Sequence, residues 1–230
     1  GTAAPDGASR CSGLPSLCGP LTTPRRIHWL PGTSFVTAHL APEYLPLLFG
    51  IDAATVADAP VELDNTPLRL EAASLIDVLS DSRDPRHWAQ GICRWLHGSL
   101  VRRQRAEPFV IQPAPLGCDP ACIARQYGLS TRQLERRYLA AYGQSIRDSR
   151  KMQRYTRALA ALLQTQPGHG GLTRIAMDAG YHDQAHMIRD FVHFTAMPPK
   201  TFMQAVAGGD ADLRLYRYDQ ACRDVVFASG

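Results

Sequence analysis

The sequence predicts a chain in two parts, an α+β N-terminal half and an all-α C-terminal half with two helix-turn-helix units joined by a linker helix. Three observations support this prediction. Two apolar, β-prone runs surround Pro31-Gly32. Three prolines within residues 107–117 indicate a break between the halves. One helical pattern then occurs twice after Cys118.

Composition places the chain among globular proteins. It has 230 residues, 45% hydrophobic and 20% charged, which is enough to bury a core of one large or two modest domains. No apolar run approaches the roughly 18 residues that a membrane span needs. The six cysteines contain no CxxC pair, so we expect reduced thiols in a cytoplasmic protein. The chain begins with Gly1, and we expect further sequence upstream.

The net charge of +4 is concentrated in one segment. Residues 117–206 carry 12 Lys and Arg against 6 Asp and Glu, whereas residues 1–116 carry 10 against 11 and residues 207–230 carry 3 against 4. A local basic excess of this kind predicts contact with a polyanion. A solvated basic surface is the alternative.

The N-terminal half predicts a hairpin followed by helices. Residues 25–40 contain the two β-prone runs. Asp84 before Pro85 is typical of an N-cap followed by proline in the first helical turn. Helices are predicted around 43–49, 53–58, 67–81 and 84–105.

The repeat in the C-terminal half consists of residues 123–143 and 175–196. Each copy predicts a helix, a turn containing glycine, and a second helix. In the first copy Ser130 and Gln133 form a capping-box pattern, so the second helix begins there. Its predicted inner face holds Leu134 and Tyr138, and its predicted outer face holds Arg132, Glu135 and Arg136.

The segment between the copies, 145–164, predicts a linker helix with a basic surface. About 18 helical residues span roughly 27 Å. A spacer of that length could hold two reading helices about one DNA turn, roughly 34 Å, apart. The second helix of each unit would then enter the major groove.

With these residues in view, segment 118–206 resembles the DNA-binding domain of the AraC/XylS family of bacterial transcription regulators. The matching residues of the second copy are Ile175-Ala176, Gly180-Tyr181, Asp183-Gln184, His186, Arg189, Phe191 and Pro199. The first copy matches at Leu129-Ser130, Leu134, Arg136, Tyr138 and Gly143. The departures from the family pattern are Ile146, Ala185, Thr195 and Ala196.

The resemblance implies a set of DNA contacts and no cofactor. The residues implied to face bases are Arg132, Glu135, Arg136, Gln184, Ala185, Ile188 and Arg189. The residues implied to contact phosphates and set the register are Ser130, Thr131, Lys151, Arg154, His182 and Lys200. Arginine pairs with guanine, glutamine with adenine, and small apolar side chains contact thymine methyl groups.

The N-terminal half resembles, more loosely, the cupin-like sensor domain found in a subgroup of this family. The matching stretches are Cys18-Gly19-Pro20 to Pro31-Gly32, residues 35–44 and Leu47-Leu48-Phe49-Gly50. The expected organisation is a sensor or dimerisation domain at 1–110 that is incomplete at its N-terminus, a linker at 111–117, the DNA-binding domain at 118–206 and a tail at 207–230. A partial β-barrel followed by helices is the expected fold of the first domain. Its role stays open among binding a small effector, forming a homodimer and contacting a protein such as RNA polymerase.

Two other functional classes remain as alternatives. His182 and His186, four residues apart, could begin a metal site, but they lack the glutamate of a zinc-protease motif. No catalytic signature is present, so we expect no enzyme, no metal and no cofactor. A metal- or thiol-dependent enzyme at Cys118 or Cys122, or a protein-interaction module, would be the competing interpretation.

Overall fold

The structure is a computed structural model, and the residues that it describes are 9–10, 15–21, 23–24, 27–28, 36–58, 60–63, 69–82, 84–102, 110–111, 118–164 and 171–216. Within these residues, no helix has the length and apolar character that crossing a membrane requires. The described chain divides into two compact units, residues 1–146 and residues 147–230. The predicted linker at 111–117 lies almost entirely outside the described residues.

The strands of the N-terminal half are short. They are β1 (Ser9–Arg10), β2 (Ser16–Leu17), β3 (Ile27–His28) and β4 (Val61–Glu62). β1 pairs with β3 in parallel, and β2 pairs with β4 antiparallel. The described residues therefore contain two separate two-stranded sheets, and the expected cupin-like barrel is not shown.

The hairpin predicted around Pro31-Gly32 is not shown by the described residues, because residues 29–35, which would form its turn, lie outside them. Its first run forms β3, but β3 pairs with β1, and residues 36–40 of its second run form no strand. Leu40 instead packs against the apolar core, and the chain turns at Pro42 into a short 3₁₀ helix. Val36 and Leu40 are half-buried, and the three residues between them are exposed.

The predicted helices of the N-terminal half are confirmed. They are a 3₁₀ helix at Pro42–Tyr44, α1 (Leu45–Phe49), a 3₁₀ helix at Ala53–Val56, α2 (Arg69–Ser80) and α3 (Pro85–Arg102). The Asp84 carboxylate accepts a hydrogen bond from the Arg86 N–H, as an N-cap does. Phe49 is buried and stacks on Trp95 with ring centroids 5.9 Å apart, which joins α1 to α3.

The C-terminal half is helical throughout its described residues. The helices are α4 (Pro120–Gln126), α5 (Thr131–Tyr142), α6 (Ile146–Gln164), α7 (Gly171–Asp178), α8 (Gln184–Thr195), α9 (Pro199–Ala207) and a 3₁₀ helix at Ala211–Tyr216. The repeated sequence pattern corresponds to two helix pairs, α4 with α5 and α7 with α8. α6 is one continuous helix between the pairs.

Each pair buries its inner face in a separate core. The first core is formed by Ile111, Ile123, Ala124, Leu134, Tyr138 and Ile146. The second core surrounds Phe191, Met187 and Phe202, whose side chains are fully buried, and Phe191 packs edge-on against Phe202 at 5.3 Å. These cores hold α5 and α8 by one face and leave the opposite faces to solvent.

Within the first unit, α5 also packs against the two 3₁₀ helices of the N-terminal half. The approach is closest at Gly143, which ends α5 with φ +68°. A Cβ atom there would lie 2.6 Å from the Ala53 carbonyl oxygen. Glycine is therefore needed both for the backbone conformation and for the space.

Candidate nucleic-acid interface

The start of α5 is fixed by the capping box that the sequence predicts. The Ser130 Oγ accepts a hydrogen bond from the Gln133 N–H at 3.3 Å, and the Gln133 Oε1 accepts one from the Ser130 N–H at 2.9 Å. The preceding turn contains Gly128 at φ +63°, where a side chain would be strained. These contacts set the direction in which α5 leaves the turn.

The outer face of α5 carries the predicted base-facing side chains. Arg132, Glu135 and Arg136 are all exposed, as is the adjacent Thr131, whereas Leu134 is fully buried. Spacings of three and four residues place the three charged side chains on one side of the helix. Ser130, Arg132, Gln133 and Arg136 line a shallow concavity at the N-terminal end of α5.

The start of α8 is capped in a different way. Gly180, at φ +88°, forms the turn, and the Asp183 carboxylate accepts a hydrogen bond from the His186 N–H at 2.6 Å. This N–H lowers the pKa of Asp183, with smaller contributions from His182 and Arg189. The His182 ring lies exposed at the start of the helix, 3.4 Å from the Asp183 carboxylate. The negative cap suits the positive end of the helix dipole.

The outer face of α8 is less charged than that of α5. Ala185 and Arg189 are exposed, and Gln184 and Ile188 are half-buried. The Gln184 Oε1 accepts a hydrogen bond from the Thr173 hydroxyl of α7 at 2.9 Å. The structure therefore brings the four predicted base-facing residues of this helix to one surface.

None of the three predicted guanine-reading arginines forms an ion pair with an acidic side chain among the described residues, although Arg189 contributes to lowering the pKa of Asp183. Arg136 and Arg189 form no ion pair with any of them. Glu135 and Arg132 likewise form no ion pair there. Their charged groups are thus available to an incoming ligand.

The predicted phosphate-binding residues differ in their surroundings. Thr131, His182 and Lys200 are exposed, and Ser130 is exposed but already caps α5. The remaining two are half-buried side chains of α6, Lys151 and Arg154, which pair with one carboxylate of α8.

That carboxylate belongs to Asp190, a residue that our sequence analysis did not single out. Its side chain is 9% exposed, and its oxygens lie 3.7 Å from the Lys151 Nζ and 3.6 Å from the Arg154 Nη2. Asp190 lies between Met187 and Phe191 on the inner face of α8. An acidic residue at a core-facing position of the helical period was the signal that could have revealed it.

The histidines of α8 each pack against a neighbouring aromatic ring. His186 packs edge-on against the Tyr181 ring at 5.1 Å, with its Nε2 3.8 Å from Asp190, and His193 is exposed against Phe194 at 4.9 Å. Among the described residues, no group of three or more His, Cys, Asp or Glu side chains could hold a metal ion. The four cysteines within the described residues are exposed, and none of them forms a disulfide there.

Comparison with known proteins agrees with this geometry. Residues 123–205 match the family model of a helix-turn-helix domain of AraC type. Two further comparisons, with curated proteins and with solved structures, found no match. The matched segment runs from the buried face of α4 through α9 and contains both predicted reading helices. Residues 123–205 of this chain therefore form a helix-turn-helix domain of AraC type, which is a kind of DNA-binding domain.

Proposed function

We propose that the chain regulates transcription by binding one specific DNA sequence with two helices, α5 and α8, in successive segments of the major groove. The observation that carries this proposal is the pair of solvent-facing surfaces on these helices. The surface of α5 presents charged groups, and that of α8 presents polar and apolar groups, at three- and four-residue spacing, and each opposite face is buried. That is the form in which a helix-turn-helix unit offers its second helix to base edges.

The linker helix supports reading by both helices. α6 has 19 residues in one uninterrupted helix, which corresponds to about 28 Å. A rigid element of this length is compatible with two half-sites one helical turn apart, at roughly 34 Å. A single chain would then contact both half-sites without requiring a second copy.

The chemistry of the outer faces suggests what each helix reads. Arg132, Arg136 and Arg189 can each donate two hydrogen bonds to guanine, and Glu135 can accept from cytosine N4. Gln184 can read adenine. Ala185 and Ile188 are apolar and suit thymine methyl groups. We therefore expect a half-site that contains guanine and cytosine under α5 and a half-site that contains thymine under α8.

Phosphate contacts would set the register of both helices. We assign this role to Ser130, Thr131, Lys151, Arg154, His182 and Lys200. Hydroxyl, imidazole and ammonium groups at helix starts commonly hold phosphates in protein–DNA complexes. Such contacts carry affinity and salt dependence but little sequence information.

We further propose that the N-terminal half controls DNA binding. The support is the packing of α5 on the 3₁₀ helices at 42–44 and 53–56, because a change in that segment would be felt by α5 directly. A small effector, self-association or contact with RNA polymerase could each supply the signal. A panel of small molecules tested for thermal stabilisation of the full chain, and then for altered DNA affinity, would identify an effector.

The experiment that tests the function is selection of genomic fragments by the purified full chain at near-physiological salt, read by sequencing. We expect a motif with two elements about one helical turn, roughly 10 base pairs, apart. Two variants assign the elements: Arg136→Ala should erase the preference under α5, and Arg189→Ala the preference under α8. A wild-type protein that recovers random fragments only would overturn the proposal. A single element, lost in both variants, would overturn two-helix reading.

A further inference from the structure

The second reading helix contains a buried acid on its packed face. Asp190 is buried, and it lies directly after Arg189, a predicted base contact on the outer face. Successive helical residues are about 100° apart around the axis. The direction in which Asp190 points therefore determines the direction in which Arg189 points.

The groups around Asp190 come from the linker helix, from the turn and from α8 itself. Lys151 and Arg154 approach it from α6 at 3.7 and 3.6 Å, and the His186 Nε2 of α8 lies at 3.8 Å. Arg154 also lies over the ring of Tyr181, 5.3 Å from its centroid. Burial, and next the charge of Asp190, raise the pKa of Tyr181, so its hydroxyl stays neutral beside the carboxylate.

Two cations that face one buried carboxylate constrain the orientation of α8 against α6 more than an exposed ion pair would. A buried charge without compensation is strongly unfavourable, so rotation of α8 away from α6 is opposed. Lys151 also lies over the Phe194 ring at 5.2 Å, which restricts its side chain further. The two basic side chains remain 28% and 27% exposed, so each can contact a phosphate while it holds Asp190.

We propose that Asp190 is a positioning residue for sequence recognition, joining the phosphate-binding side chains Lys151 and Arg154 to the rotation of α8. This inference rests on the proposed DNA-reading role of α8. A phosphate held by α6 fixes where the domain lies on the duplex. Asp190 fixes the rotation of α8 relative to α6, and so fixes the direction in which the neighbouring Arg189 points towards the bases. Its effect is on specificity and not on general affinity for DNA.

The test is Asp190→Asn in the full chain, with Asp178→Asn as the matched control. Asp178 pairs with Arg174 at 3.8 Å on the exposed surface of α7, where both side chains are more than 70% exposed. Each variant removes one negative charge and keeps the shape of the side chain, because asparagine and aspartate are nearly isosteric. The quantity measured is the ratio of the dissociation constant on random DNA to that on the selected site.

We expect Asp190→Asn to lower this ratio about tenfold, comparable to a single mismatched base pair. Binding to random DNA should be unchanged or tighter, because the two cations lose their neutralising partner. Asp178→Asn should leave the ratio within about twofold of wild type. Partial unfolding would weaken binding to both duplexes equally, whereas an unchanged ratio together with wild-type affinity for random DNA overturns the proposal.

Arg154→Lys provides a variant that keeps the charge if Asp190→Asn does not fold. Lysine keeps the positive charge, so the salt dependence of DNA binding is retained, but the planar guanidinium over the Tyr181 ring is lost. We expect the ratio to fall about threefold, and no fall would overturn the proposal.

A readout without DNA separates this inference from the proposed function. Amide hydrogen exchange of α8 should be faster in Asp190→Asn than in Asp178→Asn, since the link to α6 is lost. Equal exchange in the two variants overturns the positioning role. A wild-type chain without any sequence preference would instead overturn the proposed function, and hydrogen exchange would still decide whether Asp190 links α8 to α6.

Discussion

The Thr173 hydroxyl of α7 donates a hydrogen bond to the Gln184 Oε1 of α8 at 2.9 Å. Gln184 is the first residue of α8 and one of the predicted base-facing side chains. Because the amide oxygen accepts this bond, the NH₂ group of Gln184 points away from Thr173. The first helix of the pair therefore supports the second and also orients one of its reading groups.

We expect Thr173→Val to relax base preference at the position that Gln184 reads. Valine keeps the shape of threonine but cannot donate, so the amide can rotate and present either end. A net hydrogen bond contributes about 0.5–1.5 kcal/mol, so preference at that base should fall roughly threefold to tenfold. Fragment selection with the variant measures this change. Thr173→Ser, which retains the hydroxyl, should keep the wild-type motif, and an identical motif in Thr173→Val would count against the orienting role.

Arg189→Ala should weaken binding to the selected site by ~1–3 kcal/mol and binding to random DNA very little. The reason is that a base contact contributes only where the right base is present. Competition binding with both duplexes measures the difference. Arg174→Ala removes an exposed arginine that lies on α7 and is paired with Asp178. It should lower both affinities slightly and equally. Equal losses for Arg189→Ala would make it a phosphate contact.

The sequence predicts the helices of this protein better than it predicts the strands. The helical repeat is long and periodic, and its caps at Ser130 and turn glycines at Gly128 and Gly180 occur as expected. The predicted hairpin at 25–40 is not shown, because residues 36–40 form no strand and β3 pairs with a segment distant in sequence, Ser9–Arg10. Pairing between distant segments leaves no local pattern.

The outer-face residues of the candidate site were predictable, but the contacts that orient them were not. Helical spacing places Arg132 and Arg136 on one side of α5 in any packing arrangement. The pairing of Asp190 with Lys151 and Arg154 depends on how α6 meets α8, and the Thr173 bond depends on how α7 meets α8. Only tertiary packing brings these residues together.

Ala196→Gly should stabilise the protein by about 1 kcal/mol. Ala196 ends α8 at φ +60°, a left-handed conformation in which a Cβ atom is strained. Glycine relieves this strain, and the greater freedom of the unfolded chain offsets part of the gain. Urea unfolding of the full chain measures the free energy of unfolding.

The matched change in the other helix pair is Gly143→Ala, which should be destabilising. It combines the left-handed φ of +68° with a Cβ atom 2.6 Å from the Ala53 carbonyl oxygen. If Ala196→Gly leaves the midpoint unchanged while Gly143→Ala lowers it, the left-handed conformation of Ala196 costs no measurable stability.

Tyr142 should make the stability of the first unit sensitive to alkaline pH. Its hydroxyl accepts a hydrogen bond from the Ile111 N–H at 2.9 Å and donates one to the Ile111 carbonyl at 3.2 Å. Burial raises the pKa of Tyr142 to about 12, above its ordinary value of 10.0. A raised pKa means that the stabilisation is complete below about pH 10 and is lost as the pH rises from 10 towards 12.

Unfolding free energies of wild type and Tyr142→Phe between pH 8 and about 11.5 test this dependence. The variant should be less stable at pH 8, because the Ile111 N–H loses its partner. The difference between the two proteins should then shrink as the pH rises above about 10. Other buried tyrosines titrate equally in both proteins, so their contribution cancels in the comparison. A difference that stays constant up to the highest pH would show that the Tyr142 hydroxyl ionises with the same pKa in the folded and unfolded chains.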